Sequence, residues 1–240
     1  MLLAIPVTYS YLILSLGVLA AWLVIFFLNQ TTRREQFLVS LILGLLSPVG
    51  ELLFIPDYWH PITVLAIHFD RSYISLEDFI FAFAFFGIAF YLAEKMSISP
   101  LPQNQNIWSR IGLVWLGTYS MLSVSLIPWM LDLNSIYATA LVMGFGSLCI
   151  LAYEKQTVLW RITLYGAVAF TVMMFLIYWI GFSICSNTEV ILRTIWTLYG
   201  TSLGTRIVGV PLTELVWAFS FGAYFTLLFS INIPRQLSQS

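Results

Sequence analysis

Long apolar stretches recur along this chain and constrain its fold more than any other feature. Stretches near the roughly 20 residues that a helix needs to cross a bilayer follow one another over the whole length. Hydrophobic residues make up 60% of the sequence and charged residues 9%, whereas a soluble domain carries about 25% charged residues. These stretches lack the regular apolar and polar alternation of a membrane barrel. We therefore predict an all-α integral membrane protein.

We predict seven membrane-spanning helices in this sequence. They cover about residues 7–28, 37–54, 76–93, 111–131, 135–152, 162–184 and 211–231. The first apolar stretch has no basic segment before it and is too long for a cleavable signal, so we count it as a span. Pro48 and Gly50 predict a bend or interruption near the end of the second span.

The positions of lysine and arginine predict an orientation in the membrane. If the N-terminus is outside, the cytoplasmic side holds Arg33, Arg34, Lys95, Arg110, Lys155, Arg161 and Arg235, and the outer side holds Arg71, Arg193 and Arg206. This excess predicts an outside N-terminus and a cytoplasmic C-terminus. The two long loops, 55–75 and 185–210, then both lie outside.

Two stretches of the sequence resemble each other. Each places an acid three residues before a large aromatic ring, Asp78 before Phe81 and Glu214 before Trp217. The offset of 136 residues is the same for both members of the pair, so the stretches align without a gap. Such a repeat is typical of two parallel helical units in a membrane protein.

The repeat predicts a division of the chain into two three-helix units. The units cover residues 1–96 and 134–240, and a polar linker with the fourth span, 97–133, joins them. Three-span units placed directly in series point in opposite directions. The extra fourth span gives both units the same orientation.

Several acids near the predicted outer membrane edge are candidates for a functional site. Ser75 with Asp78 fits a capping box, and Pro211 with Glu214 fits a first helical turn, so helix-start chemistry is an alternative explanation for these acids. Glu51 lies at the C-terminal end of its predicted helix, where the helix dipole disfavours a carboxylate. An ionisable residue at membrane depth is a functional candidate by default.

Acids and aromatic rings in this arrangement suggest proton-transfer chemistry. A carboxyl group that is withdrawn from water and close to other carboxyl groups should hold its proton at neutral pH, and it can then donate that proton. Aromatic rings one turn away can stabilise a cation that this donation creates. The predicted substrate-lining residues are Phe81, Phe85, Trp217 and Phe221. The pattern therefore favours protonation of an alkene, with a second carboxylate as the final proton acceptor.

Other kinds of site have weaker support. Asp57, His60 and His68 can supply metal ligands, although loop histidines are more often solvated or structural. Cys149 and Cys185 match no zinc spacing and make a disulfide framework unfavourable. The sequence has no Asp-rich diphosphate motif, phosphate-binding glycine loop or His-Glu-x-x-His pattern. We expect neither a metal nor a cofactor, and the lack of a basic patch argues against nucleic acid as a partner.

The paired stretches resemble a signature of the small membrane-integral lycopene cyclases. Members of that family are two short subunits or one fused chain, and they carry a Pro-x-Glu-(Glu)-x-x-Phe signature at the third span of each three-span unit. The corresponding segments here are 75–81 and 211–217. Ser75 stands where the family usually has proline, and Thr213 stands where it often has an acid.

This resemblance implies a function and its residues. The expected reaction is non-redox cyclisation of the linear end group of a carotene such as lycopene, by protonation within the bilayer. The resemblance implies Glu77, Asp78 and Glu214 as acid and base residues, and we add Glu51 from its position. Alternatives are a membrane binding or transport protein that uses a carboxylate cluster, or a family member without catalysis. The expected partners are an apolar isoprenoid or lipid substrate and membrane lipids.

Overall fold

The computed structural model describes residues 4–55, 57–69, 73–96 and 107–231. Its helices are α1 (Val7–Leu28), α2 (Arg33–Leu46), α3 (Glu51–Phe54), α4 (Leu76–Met96), α5 (Ile107–Met130), α6 (Ser135–Glu154), α7 (Thr157–Ile184), α8 (Thr188–Ile195) and α9 (Leu212–Ile231). The strands form two antiparallel ladders, β1 (Ala66–His68) with β2 (Tyr73–Ser75) and β3 (Arg206–Ile207) with β4 (Val210–Pro211).

Six of the described helical segments are long and apolar enough to cross a membrane. They are Val7–Leu28, Arg33–Phe54, Leu76–Lys95, Ser135–Glu154, Thr157–Ile184 and Leu212–Ile231. The predicted all-α fold is therefore confirmed, and these helices are compatible with a multi-pass membrane protein. The apolar helical stretch described in α5, Ile111–Ile127, is shorter, so the seventh span stays a prediction. The predicted polar joint, 97–106, lies outside the described residues.

The second span is interrupted at the predicted position. A 3-10 turn, Ser47–Gly50, joins α2 to α3, and Pro48 lies at its start. Proline has no backbone N–H to donate, so the regular hydrogen bonding of α2 stops there. The turn places Glu51 at the start of the short α3 helix.

The helices pack around two central ones. Helix α4 packs against α1 and α2, helix α9 packs against α6 and α7, and α4 and α9 contact each other. Aromatic rings fill the contact between the two central helices. Phe85 and Phe221, which are 136 positions apart, have ring centroids 5.1 Å apart. Phe90 and Phe229 continue the contact with centroids 5.6 Å apart.

Glycines allow one close helix contact in the second half of the chain. A Cβ atom added at Gly222 of α9 would lie 2.5 Å from the backbone oxygen of Gly166 in α7. Small residues let membrane helices approach in this way, because no side chain separates the backbones. The close approach fixes α9 against α7 and so fixes the position of the acid near its start.

Both central helices begin at the end of a strand ladder. Strand β2 leads directly into α4, and β4 leads directly into α9. The backbone N–H of Leu76 donates to the carbonyl of Leu65 (3.0 Å), and that of Leu212 donates to the carbonyl of Thr205 (2.8 Å). In each case the acceptor is the residue before the first strand of the ladder. The two helix starts are therefore built alike.

Candidate functional site

Asp78 is buried at the start of α4 and accepts two kinds of donor. The backbone N–H of Ser75 donates to its Oδ2 (2.6 Å), and the Ser75 hydroxyl accepts from the Asp78 N–H (3.2 Å), which forms a capping box. The Tyr11 hydroxyl from α1 donates to Asp78 Oδ1 (2.8 Å). The helix-start explanation therefore accounts for one oxygen of Asp78, and the other is bound by a different helix.

Glu214 is buried near the start of α9 and accepts three side-chain donors from other parts of the chain. The Trp196 indole N–H donates to Oε1 (2.7 Å), and the Tyr178 hydroxyl donates to Oε2 (2.9 Å). The Tyr58 hydroxyl donates to Oε1. Burial and the nearby Glu214 charge raise the pKa of Tyr58, so its hydroxyl keeps its proton and remains a donor. Helix capping does not explain these contacts.

Glu51 is half-buried and lies between the other two acids. The indole N–H of Trp59 donates to its Oε2 (3.0 Å). Its position follows from the 3-10 turn that interrupts the second span. Glu51 is the first residue of α3, which ends one turn later at Phe54.

Glu77 has a different environment from the other three acids. Its Oε1 accepts the backbone N–H of Val64 (2.7 Å), which ties the loop before β1 to α4. Its Oε2 is buried and has no hydrogen-bond partner among the residues that the structure describes. Glu77 lines neither of the two acid cavities described next. The structure therefore groups Glu51, Asp78 and Glu214 and leaves Glu77 beside them.

Two small cavities connect the three acids with aromatic rings. The first acid cavity, of about 80 Å³, is lined by Glu51 and Asp78. The predicted rings Phe81, Phe85, Trp217 and Phe221 line the same cavity. The second acid cavity, of about 40 Å³, is lined by Glu51, Glu214 and six aromatic rings together with Ile136.

The four predicted rings form one cluster around the first acid cavity. Phe81 and Phe85 are stacked with centroids 4.3 Å apart, and Trp217 and Phe221 have centroids 5.1 Å apart. Phe85 also contacts Phe221 across the α4–α9 interface. Rings in this arrangement can surround a small apolar group and stabilise positive charge on it.

A larger apolar cavity lies behind the acids, between α1 and α7. We call it the lateral crevice; its volume is about 330 Å³. Four side chains that donate to the acids line it: Tyr11, Trp59, Tyr178 and Trp196. Their ring centroids are 4.7 Å apart for Tyr11 and Trp59, 6.2 Å for Trp59 and Trp196, and 6.1 Å for Tyr178 and Trp196. These rings thus line the side of the crevice that faces the carboxyl groups.

The sequence did not identify most of these donors as site residues. Tyr11, Tyr58, Tyr178 and Trp196 come from α1, two loops and α7, so no short motif unites them. One signal was present in the repeat: Trp59 and Trp196 are 137 positions apart, one more than the offset of the paired acids. Extending the repeat into the loops pairs the two tryptophans, although Trp59 binds Glu51 and not Asp78, which is the repeat equivalent of Glu214.

The alternative metal site in the first loop is not assembled. Asp57 Oδ2 accepts the backbone N–H of Ser135 (2.9 Å), so this carboxylate binds the start of α6. The backbone N–H of His60 donates to Ile195 (2.7 Å), and the His68 ring packs on Tyr73 with centroids 5.5 Å apart. Among the described residues, no group of three His, Cys, Asp or Glu side chains has the arrangement of a metal site.

Comparison of the chain with known proteins identified no relative. Family models, curated proteins and solved structures gave no match. The functional argument therefore depends on the chemistry of the site itself. Three carboxyl groups, their Tyr and Trp donors and a cluster of rings can together donate a proton, bear a transient cation and take a proton back.

Proposed function

We propose that this protein is a membrane-embedded cyclase that isomerises the linear end group of a carotene such as lycopene. The observation that carries the proposal is the first acid cavity, in which Glu51 and Asp78 face the rings of Phe81, Phe85 and Phe221. A carboxylic acid supplies the proton and a carboxylate removes one, while the rings stabilise the cation between these steps.

Glu51 is the proposed proton donor. It lines both acid cavities and so lies beside each of the other two acids and beside the aromatic rings. Its O–H bond breaks as the proton bonds to the terminal alkene carbon of the substrate. The Trp59 indole N–H then donates to the carboxylate that forms.

Asp78 is the proposed proton acceptor. A backbone N–H and the Tyr11 hydroxyl donate to it, and both contacts stabilise its carboxylate. After protonation, the electron pair of a neighbouring double bond closes the ring and moves the positive charge onto the ring. Loss of a ring proton to Asp78 forms the new double bond, so the product is an isomer of the substrate. Return of the proton from Asp78 to Glu51 within the same cavity completes the cycle.

Glu214 completes the electrostatic environment of the reaction. Its three donors favour its ionised form, and it lies beside Glu51 in the second acid cavity. A fixed carboxylate there stabilises positive charge on a substrate bound between the aromatic rings. Its proposed role is thus to lower the energy of the cation without exchanging a proton.

The proposed topology has seven spans in two parallel units, with the N-terminus outside. Two observations support the repeat: the matched starts of α4 and α9, and the contact between Phe85 and Phe221 at equivalent positions. Equivalent residues meet near an axis that relates two similar units. The cyclase is preferred over a transporter because apolar rings continue along the α4–α9 contact to Phe90 and Phe229.

Pigment analysis in cells that accumulate lycopene tests the proposal. Expression of the natural chain should produce cyclised carotene, whereas Glu51→Gln, Asp78→Asn and Glu214→Gln should each abolish conversion at equal membrane expression. Glu189→Gln is the matched control, because this carboxylate is exposed and pairs with Arg206 (2.6 Å). Unchanged lycopene with well-expressed natural protein would overturn the proposal. Full activity of Glu51→Gln would overturn the assignment of the donor.

A further inference from the structure

The lateral crevice has the properties of a binding site for a hydrocarbon chain. It is lined by apolar residues of α1, α7 and α8 together with the four aromatic rings of its back wall. Its rim includes Ile13, which is 42% exposed, and Ile180, which is 52% exposed. Both rim residues belong to helices that are apolar enough to span the bilayer. The rim therefore lies on helices that are apolar enough to contact the hydrocarbon chains of lipids.

Glycines create the width of this crevice. Gly17 of α1 and Gly181 of α7 both line it. A Cβ atom added at Gly181 would meet nothing within 4 Å, and one added at Gly17 would lie 3.5 Å from Ile177. The space next to Gly181 is thus open, and a larger side chain there would occupy the crevice without displacing the backbone.

A pair of hydrogen bonds between Ile5 and Asn187 closes one end of the crevice. The backbone N–H of Ile5 donates to Asn187 Oδ1 (3.1 Å), and Asn187 Nδ2 donates back to the Ile5 carbonyl (2.7 Å). Ile5 and Cys185 line the crevice beside these hydrogen bonds. The segment before α1 is therefore fixed to the junction of α7 and α8, and the crevice is a bounded site at that end.

The back wall connects the crevice to the acids. Trp59 and Tyr178 line both the lateral crevice and the second acid cavity. Their polar atoms bind Glu51 and Glu214, so the wall is held in place by the acids behind it. A chain in the crevice would therefore contact the same rings whose polar atoms bind the acids.

We infer that the lateral crevice binds the unreacted part of a linear, conjugated isoprenoid chain that enters sideways from the bilayer. A wall of four aromatic rings favours a flat, unsaturated chain, which stacks on rings and loses less conformational freedom on binding than a saturated chain. The volume of about 330 Å³ falls within the range of ligand pockets, roughly 300–1,000 Å³. The inference rests on the proposed function in one respect: only the proposed function identifies the bound isoprenoid as the substrate.

Fluorescence transfer from tryptophan to a conjugated tetraene fatty acid tests this inference. The probe is parinaric acid, added to the full chain in nanodiscs of one phospholipid, with empty nanodiscs as background. Saturable binding is expected for the natural protein. Gly181→Leu and Ile180→Phe, which fill the crevice from the inside and from the rim, should each weaken binding by roughly tenfold or more. Gly144→Leu is the matched control, because a Cβ atom there also meets nothing within 4 Å.

Competition with a saturated chain and the conversion assay separate the possible outcomes. Stearic acid, which is saturated and of similar length, should displace the probe poorly; equal displacement would identify a site for ordinary acyl chains and overturn the inference. Unchanged binding by both crevice variants would also overturn it. If the natural protein binds the probe but does not convert lycopene, the result would support the crevice as a binding site and overturn the proposed reaction.

Discussion

Trp59 and Trp196 lie side by side across an antiparallel backbone bridge, and each donates its indole N–H to a different acid. The bridge is held by hydrogen bonds from His60 N–H to Ile195 (2.7 Å) and from Thr197 N–H to Tyr58 (3.0 Å). The indole of Trp59 binds Glu51, and the indole of Trp196 binds Glu214. One contact between the two long loops therefore sets the positions of two acids.

Removal of either indole donor should reduce conversion strongly. Trp59→Phe and Trp196→Phe keep a ring but delete a hydrogen bond to an acid, which contributes about 1.5–3 kcal/mol when the acid is charged. We expect the rate of lycopene conversion in membranes to fall by roughly 10- to 100-fold. Trp115→Phe, at a 44% exposed position on α5, should leave the rate unchanged. Unaltered rates in both loop variants would contradict the proposed role of the bridge.

Tyrosine donors from α1 and α7 should stabilise the folded protein. Tyr11→Phe leaves Asp78 without its side-chain donor from α1, and Tyr178→Phe removes one of three donors to Glu214. Each loss exposes a buried acid to incomplete hydrogen bonding, which destabilises a protein by about 1–3 kcal/mol. Thermal unfolding in detergent should therefore occur at lower temperature for both variants. Tyr165→Phe, which is 56% exposed, is the comparison and should unfold like the natural protein.

Much of the helical architecture followed from hydropathy alone. The first predicted span, 7–28, matches α1, and Pro48 correctly marked the break before Glu51. Helix α8 was missed because it has only eight residues, so its apolar face is too short to stand out from a loop. The two strand ladders were also missed, since each strand has two or three residues and depends on pairing with its neighbour.

The candidate site could be predicted only in part, for a physical reason. Helical spacing alone placed Phe81 and Phe85 on one face with Asp78, and the structure has all three at one cavity. The donors to Glu214 come from distant segments that the fold brings together, so spacing could not reveal them. Helical spacing also could not show that Glu77 lies outside the cavity. Asp78, the next residue, lines the cavity, whereas the Glu77 carboxylate accepts the backbone N–H of Val64.

The contact between Gly166 and Gly222 should be sensitive to a single methyl group. Gly222→Ala would place Cβ 2.5 Å from a backbone oxygen of α7 and 2.7 Å from Phe170 Cβ, so the helices must separate. Such overpacking destabilises a protein by about 1–3 kcal/mol. A lower unfolding temperature and weaker activity are expected, because α9 carries Glu214. Gly144→Ala, with open space at its Cβ, should cause no loss; equal behaviour of the two variants would exclude a tight α7–α9 contact.

Tyr58 should make stability depend on alkaline pH in a defined direction. Burial, and then the Glu214 charge, raise the pKa of its hydroxyl above the ordinary value near 10. A group with a raised folded pKa contributes its full stability below the unfolded pKa and loses it as pH rises towards the folded one. The difference in unfolding temperature between the natural protein and Tyr58→Phe should thus be constant up to about pH 10 and narrow above it.

The Glu214 charge provides the control for this pH dependence. In a Glu214→Gln background the carboxylate no longer raises the pKa of Tyr58, whereas burial of the hydroxyl persists. The hydroxyl then ionises more readily in the folded protein, so the loss of stability above about pH 10 should be smaller. Both pH dependences are measured by thermal unfolding between pH 8 and 11, in steps of about half a pH unit. The four proteins compared are the natural protein, Tyr58→Phe, Glu214→Gln and the variant that carries both substitutions. If the difference in unfolding temperature caused by Tyr58→Phe narrows equally with and without Glu214, burial alone keeps the Tyr58 hydroxyl protonated.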